Sequence, residues 1–156
     1  MVQMALDTID EAIVQELQTN GRISWRELGE RVQLSAPAVR DRVKAMERDG
    51  VITGYSVQVD PAKLGLGLRA IIRLNEPYTA GADRKVDGIV NDLPEVIECH
   101  RVTGSESHVL RALLTDTNHL EEMLEQLWPY ASSITNIVTS SPVPRRSPPV
   151  SLARRT

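Results

Sequence analysis

The basic side chains of the first fifty residues are gathered late in that segment. From position 31 to position 49 there are five basic residues and three acidic ones. At 100° per residue, Lys44 and Arg48 lie opposite an apolar stripe of Val39, Val43 and Met46. Cationic side chains on an exposed helix face bind phosphates, and arginine can also read base edges in the major groove. The pattern therefore predicts a helix that contacts duplex DNA.

Small residues precede this basic face, so the start of the helix could approach base edges closely, while its dipole attracts phosphates. Arg40 and Lys44 are the candidates for base-edge and phosphate contacts. Arg42 lies nearer the apolar stripe, and we expect it either to reach a phosphate or to pair with an acid. The alternative is a helix bundle with a solvated charged face. The candidate DNA-contacting residues are Ser35, Ala36, Pro37, Ala38, Arg40, Asp41, Arg42, Lys44 and Arg48.

A second set of polar groups lies in the short segment 104–107. Gly104 offers exposed backbone N–H groups, Ser105 and Ser107 offer hydroxyls, and Glu106 offers a carboxylate. Such a set suits a small zwitterion, because N–H donors bind its carboxylate and an acid binds its amine. The segment therefore suggests a small-molecule site, with an ordinary polar loop as the alternative.

Residue types that carry catalysis or bind metals are present but badly spaced. Cys99 and His100 are adjacent in a predicted strand, so their side chains point to opposite faces and cannot share one metal ion. The two serines of segment 104–107, with His108 and Asp116, have the residue types of a hydrolytic triad, but no strand-to-helix elbow presents either serine. We predict no metal, no cofactor and no enzymatic activity.

The composition limits the remaining function classes. With 156 residues, 41% hydrophobic and 25% charged, the chain can form one ordinary domain or two small ones. Its apolar runs are too short to cross a bilayer and its start lacks a secretory signal, so we expect a soluble, cytoplasmic protein without membrane contact. A single cysteine excludes a disulfide framework. The net charge of −3 argues against unspecific polyanion binding.

Three helices are predicted before position 50, each beginning after a capping side chain. A very short turn separates the second from the third, which is the arrangement of a helix-turn-helix unit whose second helix enters the major groove. Segment 1–53 is therefore predicted to be a DNA-binding domain. The predicted helices are Thr8–Thr19, Trp25–Val32 and 36–49, capped by Asp7, Ser24 and Ser35.

An extended β segment is predicted over 51–60, where β-branched residues alternate with others until Pro61. It lies in a linker, 54–66, and would act as a wing or tether. Because so small a bundle buries little apolar surface, we expect the tether to pair with its copy in another subunit.

The segment 67–141 is predicted to alternate strands and helices in the order β-α-β-β-α-β. That order is the ferredoxin-like arrangement, with one antiparallel sheet and two helices on one face, so the whole chain is of the α+β class. Nothing in the chain covers the other sheet face, and we expect it to form a homodimer. The predicted strands are 68–74, 96–103, 108–115 and 134–140, and the helices are 82–93 and 118–128.

The last fifteen residues, 142–156, contain four arginines, four prolines and no acid. This composition cannot build a core, so a flexible tail is predicted. Two interpretations remain open: the tail adds unspecific DNA affinity, or it has no role in binding. The arginines are Arg145, Arg146, Arg154 and Arg155.

Six short motifs link both halves of the chain to one known family. They are Leu6-Asp7-x-x-Asp10, Asn20-Gly21-Arg22-Ile23-Ser24, Leu34-Ser35-Ala36-Pro37-Ala38-Val39, Arg42-Val43, Gly50-Val51-Ile52-Thr53-Gly54-Tyr55 and Leu93-Pro94-Glu95-Val96-x-Glu98-Cys99. In order and spacing they resemble the Lrp/AsnC, or feast/famine, transcription regulators over residues 6–141. The resemblance implies a winged helix-turn-helix domain, a β tether and a domain that forms dimers, four of which often assemble into an octamer.

The resemblance also implies an amino-acid effector, bound between adjacent dimers near a motif written Gly-Asp-x-Asp. In this chain that motif resembles segment 104–107, so Ser105 and Ser107 replace both aspartates. The ammonium partner would then be Glu106, Asp116 or a backbone carbonyl. The candidate effector-binding residues are Thr103, Gly104, Ser105, Glu106, Ser107, His108, Asp116, Thr139 and Ser141.

The sequence thus predicts a transcription regulator that binds double-stranded DNA as a homodimer or a tetramer of dimers. A small effector, expected to be an amino acid, would modulate its assembly and its DNA occupancy. One alternative is an amino-acid-sensing or protein-interaction module that does not bind DNA. Another is a regulator of the same fold that responds to no ligand.

Overall fold

The computed structural model describes residues 6–75 and 82–150. Two compact units divide the chain. The first comprises Met1–Val57 together with Pro144–Thr156, and the second comprises Gln58–Val143. The sequence predicted a flexible tail over 142–156, whereas the described part of this segment groups with the N-terminal unit. Residues 151–156, including Arg154 and Arg155, lie outside the described residues.

Three helices form the first unit, as predicted. They are α1 (Thr8–Thr19), α2 (Trp25–Val32) and α3 (Ala36–Arg48). The side chains of Asp7, Ser24 and Ser35 cap them by accepting hydrogen bonds from backbone N–H groups of the first turns. Helix α3 ends one residue before its predicted end, because Asp49 leaves the helical conformation and becomes its C-cap.

The turn between α2 and α3 is held by close backbone contact. Leu34 N–H donates to the carbonyl of Gly29 over 2.9 Å. A Cβ on Gly29 would lie 2.5 Å from the carbonyl oxygen of Leu34, so only glycine fits here. The apolar stripe of α3 packs beside this turn into a core of Ile13, Ile23, Leu28, Val39, Val43 and Met46. The packing directs the opposite, basic face of α3 outward.

Segment 51–60, predicted to be extended and to pair with its copy in another subunit, forms no strand within the described residues of one chain, and the pairing between subunits stays a prediction. A strand needs a neighbour for its backbone hydrogen bonds, and no described residue of this chain pairs with that segment. Its position is set instead by the hydroxyl of Tyr55, which donates to Glu47 Oε1 over 2.9 Å. A short 3-10 turn, Pro61–Leu64, follows where only the end of the strand was expected.

The second unit has the predicted β-α-β-β-α-β order. Its four strands form one sheet in the order β2-β3-β1-β4, and each neighbouring pair is antiparallel. Strand β2 and helix α5 end earlier than predicted, while β4 begins and ends earlier. The elements are β1 (Leu68–Asn75), α4 (Ala82–Asp92), β2 (Val96–Arg101), β3 (His108–Leu114), α5 (Thr117–Glu125) and β4 (Ser132–Ile137).

Both helices pack on one face of this sheet. Ile72 and Leu110 of the strands and Val86 and Met123 of the helices are fully or almost fully buried in one core. On the opposite sheet face Ile71 and other apolar side chains are exposed, between arginines. Within the described residues, no helix combines the length and the apolar character needed to cross a bilayer.

Candidate functional site

The exposed face of α3 carries two cations without an acidic partner. Arg40 and Lys44 are both exposed, and neither forms an ion pair within residues 6–75 and 82–150. Asp41 is exposed beside them, and Pro37 is exposed in the first turn. The half-buried Ala36 and Ala38 complete that turn. Free cations beside a small-residue helix start can bind phosphate or base edges.

Arg42 was predicted either to reach a phosphate or to pair with an acid, and in the structure it pairs with acids. Its Nη1 atom lies 2.7 Å from Asp7 Oδ2 and 2.8 Å from Asp10 Oδ1, so it joins α3 to the start of α1. The pKa of the Asp7 carboxyl lies below its ordinary value, first because of the Asp10 backbone N–H and then because of Arg42. A guanidinium so engaged is unavailable to a phosphate.

The other arginines around this face are also engaged. Arg48 pairs with its neighbour Asp49 over 3.0 Å, although it was a predicted DNA contact. Arg26 pairs with Glu30, and Arg31 pairs with both Glu16 and Glu27. Within the three-helix part that the structure describes, the cations left without an acid are Arg22, Arg40 and Lys44.

The predicted effector loop joins β2 to β3. The N–H of Val102 donates to the carbonyl of Ser107 over 3.0 Å, and Gly104 has a φ of +131°, which favours glycine. Glu106 accepts a hydrogen bond from the Ser105 hydroxyl at 2.7 Å and pairs with Arg73 at 3.2 Å. These contacts hold the pKa of Glu106 low, with Ser105 as the largest cause. The loop carboxylate is therefore ionised and already has a cation.

His108 lies inside the second unit. Only 1% of its side chain is exposed, and its Nε2 atom lies 2.9 Å from Asp87 Oδ1 of α4. Its Nδ1 atom lies 3.0 Å from the Ser107 hydroxyl. Arg101 also pairs with Asp87 and is the largest cause of the low pKa of that carboxyl. The imidazole thus links the loop to α4 and does not line the loop surface.

Asp87 was absent from the predicted site residues. It belongs to α4, and the sequence offers no spacing that relates it to a histidine twenty-one positions later. Only its place on the flank of the buried stripe of α4 could have indicated a contact with the sheet.

The remaining candidates lie at the end of the sheet opposite the loop. At the loop end, the N–H of Ser107 donates to the carbonyl of Leu74, near the end of β1. Ser141 instead accepts from Arg69 at the start of β1, over 3.3 Å. Asp116 caps α5 there by accepting from the His119 N–H at 3.0 Å.

Strand pairing fixes the separation of these two groups. Leu74 pairs with His108 at one end of the β1–β3 ladder and Leu68 pairs with Leu114 at the other. Six residues of strand correspond to roughly 20 Å. One chain therefore cannot bring the loop residues, including Thr103, into one pocket with Asp116, Thr139 and Ser141. A site that uses both groups requires two chains.

Two family models match the chain, one over the three helices and one over the β-α-β-β-α-β unit and the start of the C-terminal segment. The AsnC-type helix-turn-helix domain matches residues 6–47, and the Lrp/AsnC ligand-binding domain matches residues 69–148. The chain belongs to the Lrp/AsnC family. The match confirms the resemblance seen in the sequence motifs, and the α+β fold class is confirmed with it.

Curated relatives of this Lrp/AsnC chain are transcriptional regulators. The HTH-type transcriptional regulator Rv2324 of Mycobacterium tuberculosis is 36% identical over 146 residues, which cover 92% of this chain and 98% of that protein. LrpC of Bacillus subtilis is 33% identical over 138 residues, covering 88% of this chain and 94% of LrpC.

A solved neighbour carries an amino acid. The transcriptional regulator NMB0573 of Neisseria meningitidis, crystallised as a complex with L-Met, superposes with a TM-score of 0.87 at 29% identity. The superposition covers 95% of this chain and 99% of that one. Family membership and these neighbours make this chain a helix-turn-helix transcriptional regulator of the Lrp/AsnC type.

Proposed function

We propose that this regulator binds specific sequences in duplex DNA through α3, and that a small effector changes its assembly and DNA occupancy. The observation that carries the proposal is the pair of free cations, Arg40 and Lys44, on the exposed face of α3. Other cations of the three helices, such as Arg42, are held in ion pairs. A helix with this face supplies major-groove contacts, and phosphate contacts make affinity fall with salt.

The proposal includes a homodimer, with assembly to a tetramer of dimers as the larger form. The open sheet face supports it, because Ile71 and Ile134 are 37% and 53% exposed there and such apolar surface is usually covered. A dimer would present two α3 helices to half-sites about one helical turn or a multiple of it apart.

The effector is proposed to be an amino acid bound between chains. The L-Met complex of the Neisseria regulator supports the ligand class. The separation of the loop from Asp116 and Ser141 supports a site shared by two chains. Ligand bound between chains favours the assembly that forms the site, which couples effector concentration to DNA occupancy.

One observation favours a second candidate, a regulator of the same fold that responds to no ligand. Ser105 and Ser107 replace both motif aspartates, and the remaining loop carboxylate, Glu106, already pairs with Arg73. Calorimetry against the twenty amino acids separates the candidates, with light scattering to follow assembly. Heat of binding and a change in assembly support the effector, whereas no binding supports the second candidate.

Substitutions on α3 test the DNA interface. Arg40→Ala should lower affinity about tenfold to a hundredfold and relax sequence preference, while Lys44→Ala should lower affinity for all sequences alike. The control is Lys85→Ala, because Lys85 is an exposed cation on α4 of the second unit. Fluorescence anisotropy on duplexes selected from a random library measures both effects. Wild-type affinity in both α3 variants would refute the interface.

The regulator is proposed to act in the cytoplasm, as a binding protein without catalytic activity, metal or cofactor. The relatives that support this are transcriptional regulators. The alternative is a protein-interaction module that does not bind DNA. Affinity for duplex DNA in the anisotropy measurement would exclude this alternative, and no affinity would support it.

A further inference from the structure

The three-helix part of the first unit has an excess of negative charge. Residues 1–57 contain seven basic and nine acidic residues, a formal charge of −2. Four of the seven cations are held in ion pairs: Arg26, Arg31, Arg42 and Arg48. A surface that binds the phosphate backbone normally carries positive charge. The helices alone therefore offer few contacts for the backbone on either side of a half-site.

The described part of the C-terminal segment offsets this excess of negative charge. Residues 144–150 group with the three helices in one compact unit, and they contribute two arginines and no acid. Together with residues 1–57 they give nine basic and nine acidic residues, a formal charge of 0. Arg145 and Arg146 are exposed, and neither pairs with an acid within the described residues. They raise the number of free cations that the structure describes in this unit from three to five.

A hydrogen bond places the segment on α1. Gln18 Nε2 donates to the carbonyl of Pro148 over 3.1 Å. Gln18 lies in the last turn of α1, four residues before Arg22, and α2 begins soon after. In helix-turn-helix proteins the first helix of the pair, here α2, crosses the DNA backbone. The contact therefore holds the segment at the C-terminal end of α1, from which the chain passes into α2.

The prolines suit an extended arm. Pro144, Pro148 and Pro149 restrict the backbone, so the segment loses less conformational entropy on binding than an unrestricted chain would. Without acids, the segment has no charge that a phosphate would repel. The segment contacts Gln18 through the carbonyl of Pro148, so the guanidinium groups of Arg145 and Arg146 remain available to phosphates.

We propose that residues 144–150 form an arm that binds the phosphate backbone of duplex DNA beside α2, through Arg145 and Arg146. Gln18 holds the arm in place. The inference rests on the proposed DNA-binding function and adds a sequence-independent contact to the sequence-reading contacts of α3.

The double variant Arg145→Gln/Arg146→Gln tests the arm, and Arg145→Lys/Arg146→Lys is its charge-conserving control. Anisotropy is measured on a 40-base-pair random-sequence duplex and on a selected duplex, between about 50 and 200 mM salt. The Gln variant should flatten the slope of log affinity against log salt by about 1.8 for each bound chain, or about 3.6 for the proposed homodimer, because each chain loses two phosphate contacts. Near 100 mM salt, affinity for both duplexes should fall tenfold or more, so their ratio is unchanged. The Lys variant should keep the wild-type slope.

A further variant tests the position of the arm. Gln18→Ala should lower the affinity of the wild-type chain but cause no additional loss in the Gln double variant. Additive losses would overturn the role of Gln18. Circular dichroism confirms that each variant keeps its helices.

Two results would overturn the inference. The first is a wild-type slope in the Arg145→Gln/Arg146→Gln variant, since the arm would then not contact phosphates. The second is a change in sedimentation with no change in slope, which would place the arm on the acidic second unit of another copy. If the wild-type chain has no duplex affinity even at the lowest salt concentration, the proposed function fails and this inference fails with it. If the wild-type chain binds duplex DNA and the Arg145→Gln/Arg146→Gln variant binds it equally well, only the arm is refuted and the proposed DNA-binding function is not.

Discussion

A charged or titratable side chain can serve a ligand or the fold, and two residues of this chain serve the fold. Arg42 was expected at a phosphate or an acid, and it joins Asp7 and Asp10. His108 was a candidate for the effector, and it lies buried against Asp87. In both cases the partner side chain lies on a distant element of the same unit, which a helical wheel does not reveal.

Arg42→Ala should destabilise the first unit rather than weaken DNA contacts directly. Asp10 is only 8% exposed and would lose its cation, while the α1 cap at Asp7 would lose its tie to α3. Because the pair is partly solvated, we expect a fall of roughly 5 °C in Tm. Thermal unfolding followed by circular dichroism measures it. An unchanged Tm would show that the ion pair contributes nothing to stability.

Asp87→Asn should make stability depend less on pH. The pKa of Asp87 is lowered, first by Arg101 and then by His108, so the carboxylate stabilises the fold above its ordinary pKa of 3.8. That stabilisation is lost as pH falls through the lower, folded-state pKa. The variant should therefore be less stable than wild type at pH 7 and approach it at pH 2.

Urea unfolding at the two pH values tests this expectation. Asp92→Asn is the matched control, because Asp92 lies on the same helix and has no ion-pair partner among the described residues. A difference between wild type and Asp87→Asn that persists undiminished at pH 2 would contradict the role assigned to the carboxylate.

At the scale of elements, the α2–α3 turn decides how α3, the helix proposed to contact DNA, is presented. Caps and Pro37 predict where the helices begin, but the turn depends on the backbones meeting at Gly29. The tether, 51–60, differs from the helices, because its residue types predict a strand that the described residues of one chain do not form. Its residues favour a strand, yet no described segment pairs with it, and a strand without a ladder gains none of the hydrogen bonds that stabilise it.

Gly29→Ala should destabilise the first unit by about 1–3 kcal/mol, because the new Cβ would press against the Leu34 carbonyl. Gly88→Ala, the same change in α4, should instead stabilise by about 0.5–1 kcal/mol. Gly88 is exposed in a helix, and a Cβ added there would have no neighbouring atom within 4 Å. Chemical denaturation measures the free energy of unfolding of both variants. Equal effects would show that helix propensity, not the turn, decides the outcome.

At the scale of the whole molecule, the open sheet face is the surface on which we propose that a second copy binds. Along β1, buried Ala70, Ile72 and Leu74 alternate with Ile71 and two arginines on the open side. Apolar side chains between charges fit a self-complementary dimer surface better than a solvated one.

Ile71→Glu or Ile134→Glu should convert the proposed dimer to monomers that keep their fold, because each places a charge at the centre of the covered surface. Sedimentation velocity and circular dichroism measure assembly and folding. Val143→Glu is the control, since Val143 is 65% exposed outside the sheet. A dimer that survives both sheet-face substitutions would place the interface elsewhere.

The sequence by itself determined the elements and the family. Caps, prolines and apolar periodicity are local signals, so the three helices and the β-α-β-β-α-β order could be read from neighbouring residues. The motifs of both halves identified the family because they depend on order and spacing alone. Side-chain type likewise indicated the basic face of α3, whose orientation follows from its own apolar stripe.

Only the tertiary structure decided which charges are free and which candidates meet. The Arg42–Asp7 ion pair and the His108–Asp87 hydrogen bond join residues 35 and 21 positions apart. Strand register then placed Asp116 and Ser141 at the end of the sheet opposite the loop, and the contact of Pro148 with Gln18 crossed 130 positions. Such contacts depend on how elements pack, and no periodicity within one element specifies that packing.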